Sequence, residues 1–366
     1  MEELDFEAAF GEYQAAARFF SGEITQIRQA LAVAQDEAAM PAIGVNIRKL
    51  VHQALDLAPA EVLTRLISTL NDALTCRVIE LACARFQIDS SDWCWIALGS
   101  EGRKEQTFSS DQDNGIIFAE GCNADAQRAR FLPLALHINH VLADCGFTLC
   151  RGNIMASNPE CCLGLHEWRG RFADWIFESD AQALLNASIF FDFRPLYGKH
   201  EPASLLAEWL AANSRDNPGF LLRMAANALR RGVPLGFLHN IVVDRHGDFA
   251  GTIDLKLQAA TLFVDAARVL GLACGSFARN TADRLRHAAA ARLIEQDEAE
   301  SWIGAFYFIE RLRLKCQHAS ELRGESMHNH IDPVALDESE RHALLDALGQ
   351  AKALQKRLAQ SYPGSA

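Results

Sequence analysis

Two aspartates one residue apart, Asp111 and Asp113, follow a Gly-Ser pair, Gly99-Ser100, in the stretch LGSEGRKEQTFSSDQDNGIIF. On a strand, residues two apart share a face, so the two carboxylates would stand together with Gln112 turned away. Adjacent anions repel unless something neutralises them. A hard divalent cation such as Mg²⁺ (or Mn²⁺) does this, taking carboxylate oxygens together with phosphate oxygens. Read alone, the aspartates are equally two solvated acids at a loop end. The Gly-Ser pair shifts that balance, because it falls where a strand gives way to a helix start. Glycine lets a ligand approach the backbone, and free N–H groups with a hydroxyl suit an anionic phosphate. Arg103 lies between the two features. It could offset phosphate charge, or simply pair with Glu101 or Glu105.

The elements that must hold these residues follow from periodicity. Residues 1 to about 88 read as helical, with one apolar stripe through Val62, Leu63, Leu66, Ile67, Leu70, Leu74, Val78 and Ile79. The period then changes. DWCWIALGS, SDQDNGIIFAE and GFTLCRGNIM read as three strands, with ARFLPLALHINHVLADCG as a helix before the third and Gly146 as its stop. LHEWRGRFADWI and DAQALLNASIFF read as helices, and DFRPLYG closes the section. From about residue 205 the pattern is helical again, apart from NIVVDRHGDFAGTIDLK, which reads as a hairpin turning near His246-Gly247. The expected organisation is a helical N-terminal region (1–88), a small α+β mixed-sheet domain (89–204) and a helical C-terminal domain (205–366).

Composition narrows the function classes. A chain of 366 residues, half apolar, can bury more than one core. The N-terminus is acidic where a secretory signal would be basic and then apolar, and no segment is apolar for long enough to span a bilayer. A cytoplasmic protein without a membrane partner is therefore expected. The ten cysteines are scattered through apolar runs with no C-x-x-C pair, so they read as buried thiols. A net charge of −12 with no basic block argues against long nucleic acid as a partner, although a single nucleotide with its metal needs only a few local charges.

Gly-Ser followed by D-x-D on the next strand resembles the nucleotidyltransferase superfamily typified by DNA polymerase beta. The fuller form GSEGRKEQTFSSDQDN resembles the branch containing PII uridylyltransferase and glutamine synthetase adenylyltransferase. It is most similar to bacterial signal-transduction nucleotidyltransferases of the DUF294 type, whose helical C-terminal domain is described as substrate-binding. The similarity continues through GNIMASNP, FFDFRPLYG, PLGF and IDLK and covers most of residues 60–360. The resemblance implies that Gly99 and Ser100 hold a nucleoside triphosphate, ATP or UTP. Asp111 and Asp113 would carry Mg²⁺, and a nucleoside monophosphate would pass to an acceptor, a protein in the closest relatives.

A third acid is usual on a later strand of that superfamily. In GFTLCRGNIM there is none, and Cys150 and Arg151 stand about where it belongs. Asp192 is the next candidate, with Arg194 beside it in FFDFRPLYG, although these two could equally form an ion pair. Asn153 is a further candidate for the nucleotide site. Without a third acid the alternative is a nucleotide-binding regulator or interaction scaffold with little catalysis. A remote reading from another class takes Arg313 and His318, an R-x4-H spacing, as a helical ribonuclease pair. His328 and His330 read as loop residues before metal ligands. Asp254 and Lys256 read as partners on one hairpin face, and Pro234, Gly236 and Phe237 as architecture.

Overall fold

The computed structural model describes residues 14–119, 123–178, 181–236 and 240–364. They divide into two compact units, one of residues 1–171 and 190–207, the other of residues 172–189 and 208–366. The fold is α+β, with a small mixed sheet flanked along the chain by helical regions.

The first unit begins with three helices: α1 (Gln14–Val33), α2 (Met40–Ala54) and α3 (Ala60–Phe86). The stripe expected on α3 is the buried face, and all eight of its apolar residues lie inside. Pro59 precedes this helix, and Gln87 ends it in the left-handed conformation at φ 55°. Helices α1, α2 and α3 pack on one another.

Strand β1 (Trp93–Ala97) is buried along its whole length and is central in the sheet order β5-β3-β1-β6. It pairs antiparallel with β3 (Asn114–Phe118) and with β6 (Arg194–Gly198). β3 in turn pairs parallel with β5 (Cys162–Gly164). Between β1 and β3 lie the one-turn helix α4 (Gly99–Gly102) and the two-residue strand β2 (Asp111–Gln112). Helix α5 (Ala124–Asp144) is capped by Asn123, whose side chain accepts from the N–H groups of Asp125 and Ala126. It packs on α3, and its Phe131 meets Trp93 at 5.3 Å between ring centroids.

Two strands depart from the expectation. Of GFTLCRGNIM only Thr148–Leu149 forms a strand, β4, and it pairs parallel with β2 outside the main sheet. The main-sheet neighbour of β3 is instead β5, in a run dominated by the buried Cys161 and Cys162. The described cysteines are all free.

Helices α6 (Leu165–Phe177) and α8 (Glu201–Arg215) each run from one unit's residues into the other's. The second unit also holds α7 (Ala181–Phe190), α9 (Pro218–Leu229), α10 (Thr261–Ala273), α11 (Thr281–Ala290), α12 (Gln296–Leu322) and α13 (Glu338–Ser361). Helix α12 packs on α11 and α13, and α10 packs on α9, α11 and α13. The expected hairpin is not a two-strand ladder of its own. Ile253–Asp254 (β7) pairs antiparallel with the distant His330–Ile331 (β8). The stretch before β7 is a loop pinned by Asp244, whose N–H donates to the Thr252 carbonyl at 2.9 Å and whose carbonyl accepts from Gly251 at 2.8 Å. Lys256 enters a π-helical turn, Lys256–Ala260, and the Asp254 carboxylate accepts from the N–H groups of Lys256 and Leu257 at 2.8 and 2.9 Å. Asp254 therefore caps that turn, a competing use that a strand pattern does not reveal. Pro234 and Gly236 close a small turn with Val242 and Asn240, whereas Phe237 lies outside the described residues.

Candidate functional site

The alternation read from the sequence decides which side chains face inward in the D-Q-D-N run. Gln112 and Asn114 are buried, at 2% and 1% exposure, while Asp111 and Asp113 are half-exposed. The buried pair joins an amide network with Asn139 of α5. Asn139 donates to Gln112 Oε1 at 2.9 Å and to Asn114 Oδ1 at 3.1 Å. Gln112 Nε2 donates to the carbonyls of Asn139 and Phe147, and Asn114 Oδ1 also accepts from the Ala156 N–H at 2.8 Å. Buried amides are expensive to leave unpaired, so this network fixes the backbone from which the two aspartates project.

Asp113 and Gly99 come together directly. The Asp113 carbonyl accepts from the Leu98 N–H at 2.8 Å. Its carboxylate lies over the bare Cα of Gly99, where a Cβ would stand 2.8 Å from Asp113 Oδ2. Gly99 also has φ +54°, which a residue with a side chain adopts only under strain. Glycine is thus required twice over, by conformation and by the carboxylate pressed against it. Ser100 follows, half-exposed, and the first-turn N–H groups of Gly99 and Ser100 have no intrahelical acceptor.

Around this core the arginines are held by acids. Arg103 donates to Glu105 and to Asp192, each at 2.7 Å, and Asp192 is fully buried. The Asp192 backbone is also pressed against the bare Cα of Gly102. Arg194 donates to Asp72 of α3 at 2.6 Å and to the Glu101 carbonyl at 3.0 Å. Asp192 and Arg194, two residues apart at the start of β6, therefore take different partners. Asn153 is exposed in a tight turn, at φ +55°, and its carbonyl accepts from Asn158.

Three neighbours add to the picture. The Glu101 side chain is buried; burial first, then the Asp72 charge, pushes its carboxyl up to about 8, with Arg194 opposing and Asp113 adding. Burial, and then Arg194, lowers the Lys104 ammonium. Cys150 hydrogen-bonds the Asp113 side chain, and burial, then the Asp113 charge, raises the thiol to about 11. The structure thus brings Cys150 to the aspartate pair, at the position where the sequence lacks an acid. Glu101 and Lys104 lay inside the motif itself. Gln112 and Asn114 were readable as the inward half of the alternation, but Asn139 gave no local signal.

The remaining candidates lie in the second unit. Arg313 is buried and donates to both oxygens of Glu310, at 2.7 and 2.8 Å, and to Asn329. His328 is half-buried with Cys316 Sγ 3.6 Å from its Nδ1. His330 stacks flat on Phe249, with ring centroids 3.8 Å apart, and its Nε2 is 3.8 Å from Asp254. Among the described residues no helix is long and apolar enough to cross a membrane.

The chemistry of the donor set fits a divalent cation. It has two half-exposed carboxylates on a fixed backbone, one of them lying over a glycine whose missing Cβ makes room for it. Two family models match the chain. Residues 45–182 match the family described as "Putative nucleotidyltransferase DUF294". Residues 218–362 match "Putative nucleotidyltransferase substrate binding domain". A search of curated proteins gave no match. The two matched segments together span most of the chain and support its place in the nucleotidyltransferase family.

Proposed function

We propose that the first unit binds a nucleoside triphosphate with Mg²⁺ and transfers its nucleoside monophosphate to an acceptor hydroxyl, on a protein, as a regulatory modification. The observation that carries the reading is the Asp113 carboxylate seated on the Cα of Gly99, beside Ser100. One step of the chain thereby joins a phosphate-binding turn to an acid. Gly99 and Ser100 would hold the triphosphate through their N–H groups and the Ser100 hydroxyl. Asp111 and Asp113 would hold Mg²⁺, which when bound neutralises phosphate charge and polarises the phosphoryl group. The acceptor hydroxyl oxygen forms a bond to the α-phosphorus and its O–H proton passes to solvent, the α–β anhydride bond breaks, and pyrophosphate leaves. Arg103 and Arg194 act one step back from the nucleotide. Arg103 ties α4 to Asp192, and Arg194 ties it to Asp72.

Cys150 favours a second reading. A thiol raised to about 11 is neutral near pH 7 and supplies neither charge nor base beside Asp113. In this reading the unit binds a nucleotide and acts as a regulator with little turnover. Calorimetric titration of each triphosphate with Mg²⁺, on the wild type and on Asp111→Asn/Asp113→Asn, tests what the two readings share. Binding that needs Mg²⁺ and is lost in the double variant supports both, and pyrophosphate release then separates them. No binding of any triphosphate to the folded wild type would defeat both.

A further inference from the structure

Nucleotidyl transfer needs an acceptor hydroxyl, and the second unit carries one with a base at hand. Helix α10 ends at Ala273, and the turn that stops it presents Ser276. Gly275 takes the left-handed conformation at φ +67°, and the Ser276 N–H donates back to the Gly271 carbonyl at 2.9 Å. Helix α11 follows, capped by Asn280, whose side chain accepts from the N–H groups of Ala282 and Asp283. It packs on α10 and carries His287 in its last turn. The end of one helix and the face of the next therefore fix the two side chains against each other.

The Ser276 hydroxyl oxygen lies 2.6 Å from His287 Nδ1 and accepts from the Ala278 N–H at 3.1 Å. A serine hydroxyl has one hydrogen and two lone pairs. The Ala278 amide takes one lone pair, and with the imidazole hydrogen on Nε2 the hydroxyl hydrogen is donated to Nδ1. A nucleophile and a base thus stand within hydrogen-bond reach. Ser276 is half-exposed and His287 is exposed. An electrophile can reach the first, and the second can pass a proton on to water.

Other hydroxyls of the chain are spent differently. Ser188, Ser301 and Ser320 each donate to the main-chain carbonyl four residues back, and a carbonyl does not take up the proton. Thr252 comes within 3.3 Å of His330 Nδ1, but its hydrogen goes to the Phe249 carbonyl at 2.6 Å. Phe277, next to Ser276, is 58% exposed. It offers an aromatic face of the kind on which a nucleobase stacks.

We propose, on the nucleotidyl-transfer reading of the first unit, that Ser276 is a self-modification site whose hydroxyl accepts the nucleoside monophosphate, with His287 as its base. Ser276 Oγ forms a bond to the α-phosphorus, and the hydroxyl proton passes to His287 Nδ1 and from there to solvent. The α–β anhydride bond breaks, pyrophosphate leaves, and a phosphodiester remains on the serine. The test incubates the full chain with each triphosphate and Mg²⁺, read by intact-mass spectrometry, peptide mapping and pyrophosphate release. The wild type should gain one nucleoside monophosphate, on the peptide that holds Ser276. Ser276→Ala should abolish that gain, and His287→Gln should slow it by about 100-fold or more, the usual worth of a positioned base. The proposal is overturned if the adduct maps to another residue, if Ser276→Ala still acquires it, or if His287→Gln is modified at the wild-type rate. A wild type that binds a triphosphate with Mg²⁺ and releases pyrophosphate, yet leaves Ser276 unmarked, overturns this proposal alone. A folded wild type that binds no triphosphate overturns it together with the nucleotidyl-transfer reading.

Discussion

Replacing Gly99 with alanine should damage the site in two separable ways. The backbone there is left-handed at φ +54°, a conformation that costs a residue with a Cβ about 1–2 kcal/mol. The new Cβ would also stand 2.8 Å from Asp113 Oδ2, well inside van der Waals contact, so the carboxylate or the turn must retreat. For a unit of this size the strain alone lowers the melting temperature by roughly 2–8 °C. The displacement acts on function more strongly, because a misplacement near 1 Å at a reacting centre costs about 100-fold. Differential scanning calorimetry reads the first effect, and titration with Mg²⁺ and the preferred triphosphate, followed by pyrophosphate release, reads the second. Adding Asp113→Ala to Gly99→Ala removes the group that the methyl meets, so part of the lost stability should return. If Gly99→Ala melts with the wild type and keeps its nucleotide affinity, the turn tolerates a side chain and the contact is not what selects glycine. If Asp113→Ala returns no stability, strain alone explains the effect and the steric half of the argument is wrong.

Three further outcomes follow from the surroundings of the site. Glu101 has its folded-state pKa raised to about 8, so its protonated form is favoured by folding; its contribution is complete below the ordinary carboxylate range and is lost as pH rises toward 8. Urea titrations across that window should show wild-type stability falling relative to Glu101→Gln, and parallel curves would show that the carboxyl ionises freely. Asp192→Ala leaves Arg103 without one of its charge-assisted hydrogen bonds while Glu105 stays, and should cost about 1.5–3 kcal/mol, with Arg103→Met/Asp192→Leu costing less than the sum of its parts; additive losses would mean the pair is not coupled. Asn139→Leu leaves the amides of Gln112 and Asn114 short of partners and should cost about 1–3 kcal/mol, seen as a lower urea midpoint together with weaker triphosphate binding, and a change in neither would remove the network as the support of the aspartates.

Much of this was visible in the one-dimensional pattern because it is local. The stripe on α3 needs only a 3.6-residue period, and the inward Gln112 and Asn114 need only the two-residue alternation of an extended chain. What stayed hidden depends on contacts between distant segments. DFRPLYG carries a proline and a glycine, which weakens its strand signal, yet Arg194–Gly198 is held as a strand by pairing with β1 nearly a hundred residues earlier. Only two residues of GFTLCRGNIM find a partner strand, since β2 is itself two residues long. Asp254 looked like one half of a cross-strand pair, and caps a turn because its carboxylate has nearer N–H groups to satisfy. The arginines illustrate the same limit. Arg103 and Asp192 are 89 residues apart, and Arg194 and Asp72 are 122 apart, and no spacing rule joins them.

Those separations bear on the order in which the protein can be made. The first unit is interrupted: residues 172–189 belong to the other unit before the chain returns with Asp192 and β6. On the ribosome, Gly99, Ser100, Asp111 and Asp113 all emerge long before the edge strand that closes the sheet and the acid that holds Arg103. Until then β1 has an open edge, and Arg103 has only Glu105 of its two acids. The nascent chain must wait through this interval with its sheet unfinished, a slow, long-range closure of the kind that leaves folding intermediates exposed. A chain cut just before residue 190 lacks β6 and Asp192, so the site would have lost its last supporting residues while keeping every residue that faces the nucleotide.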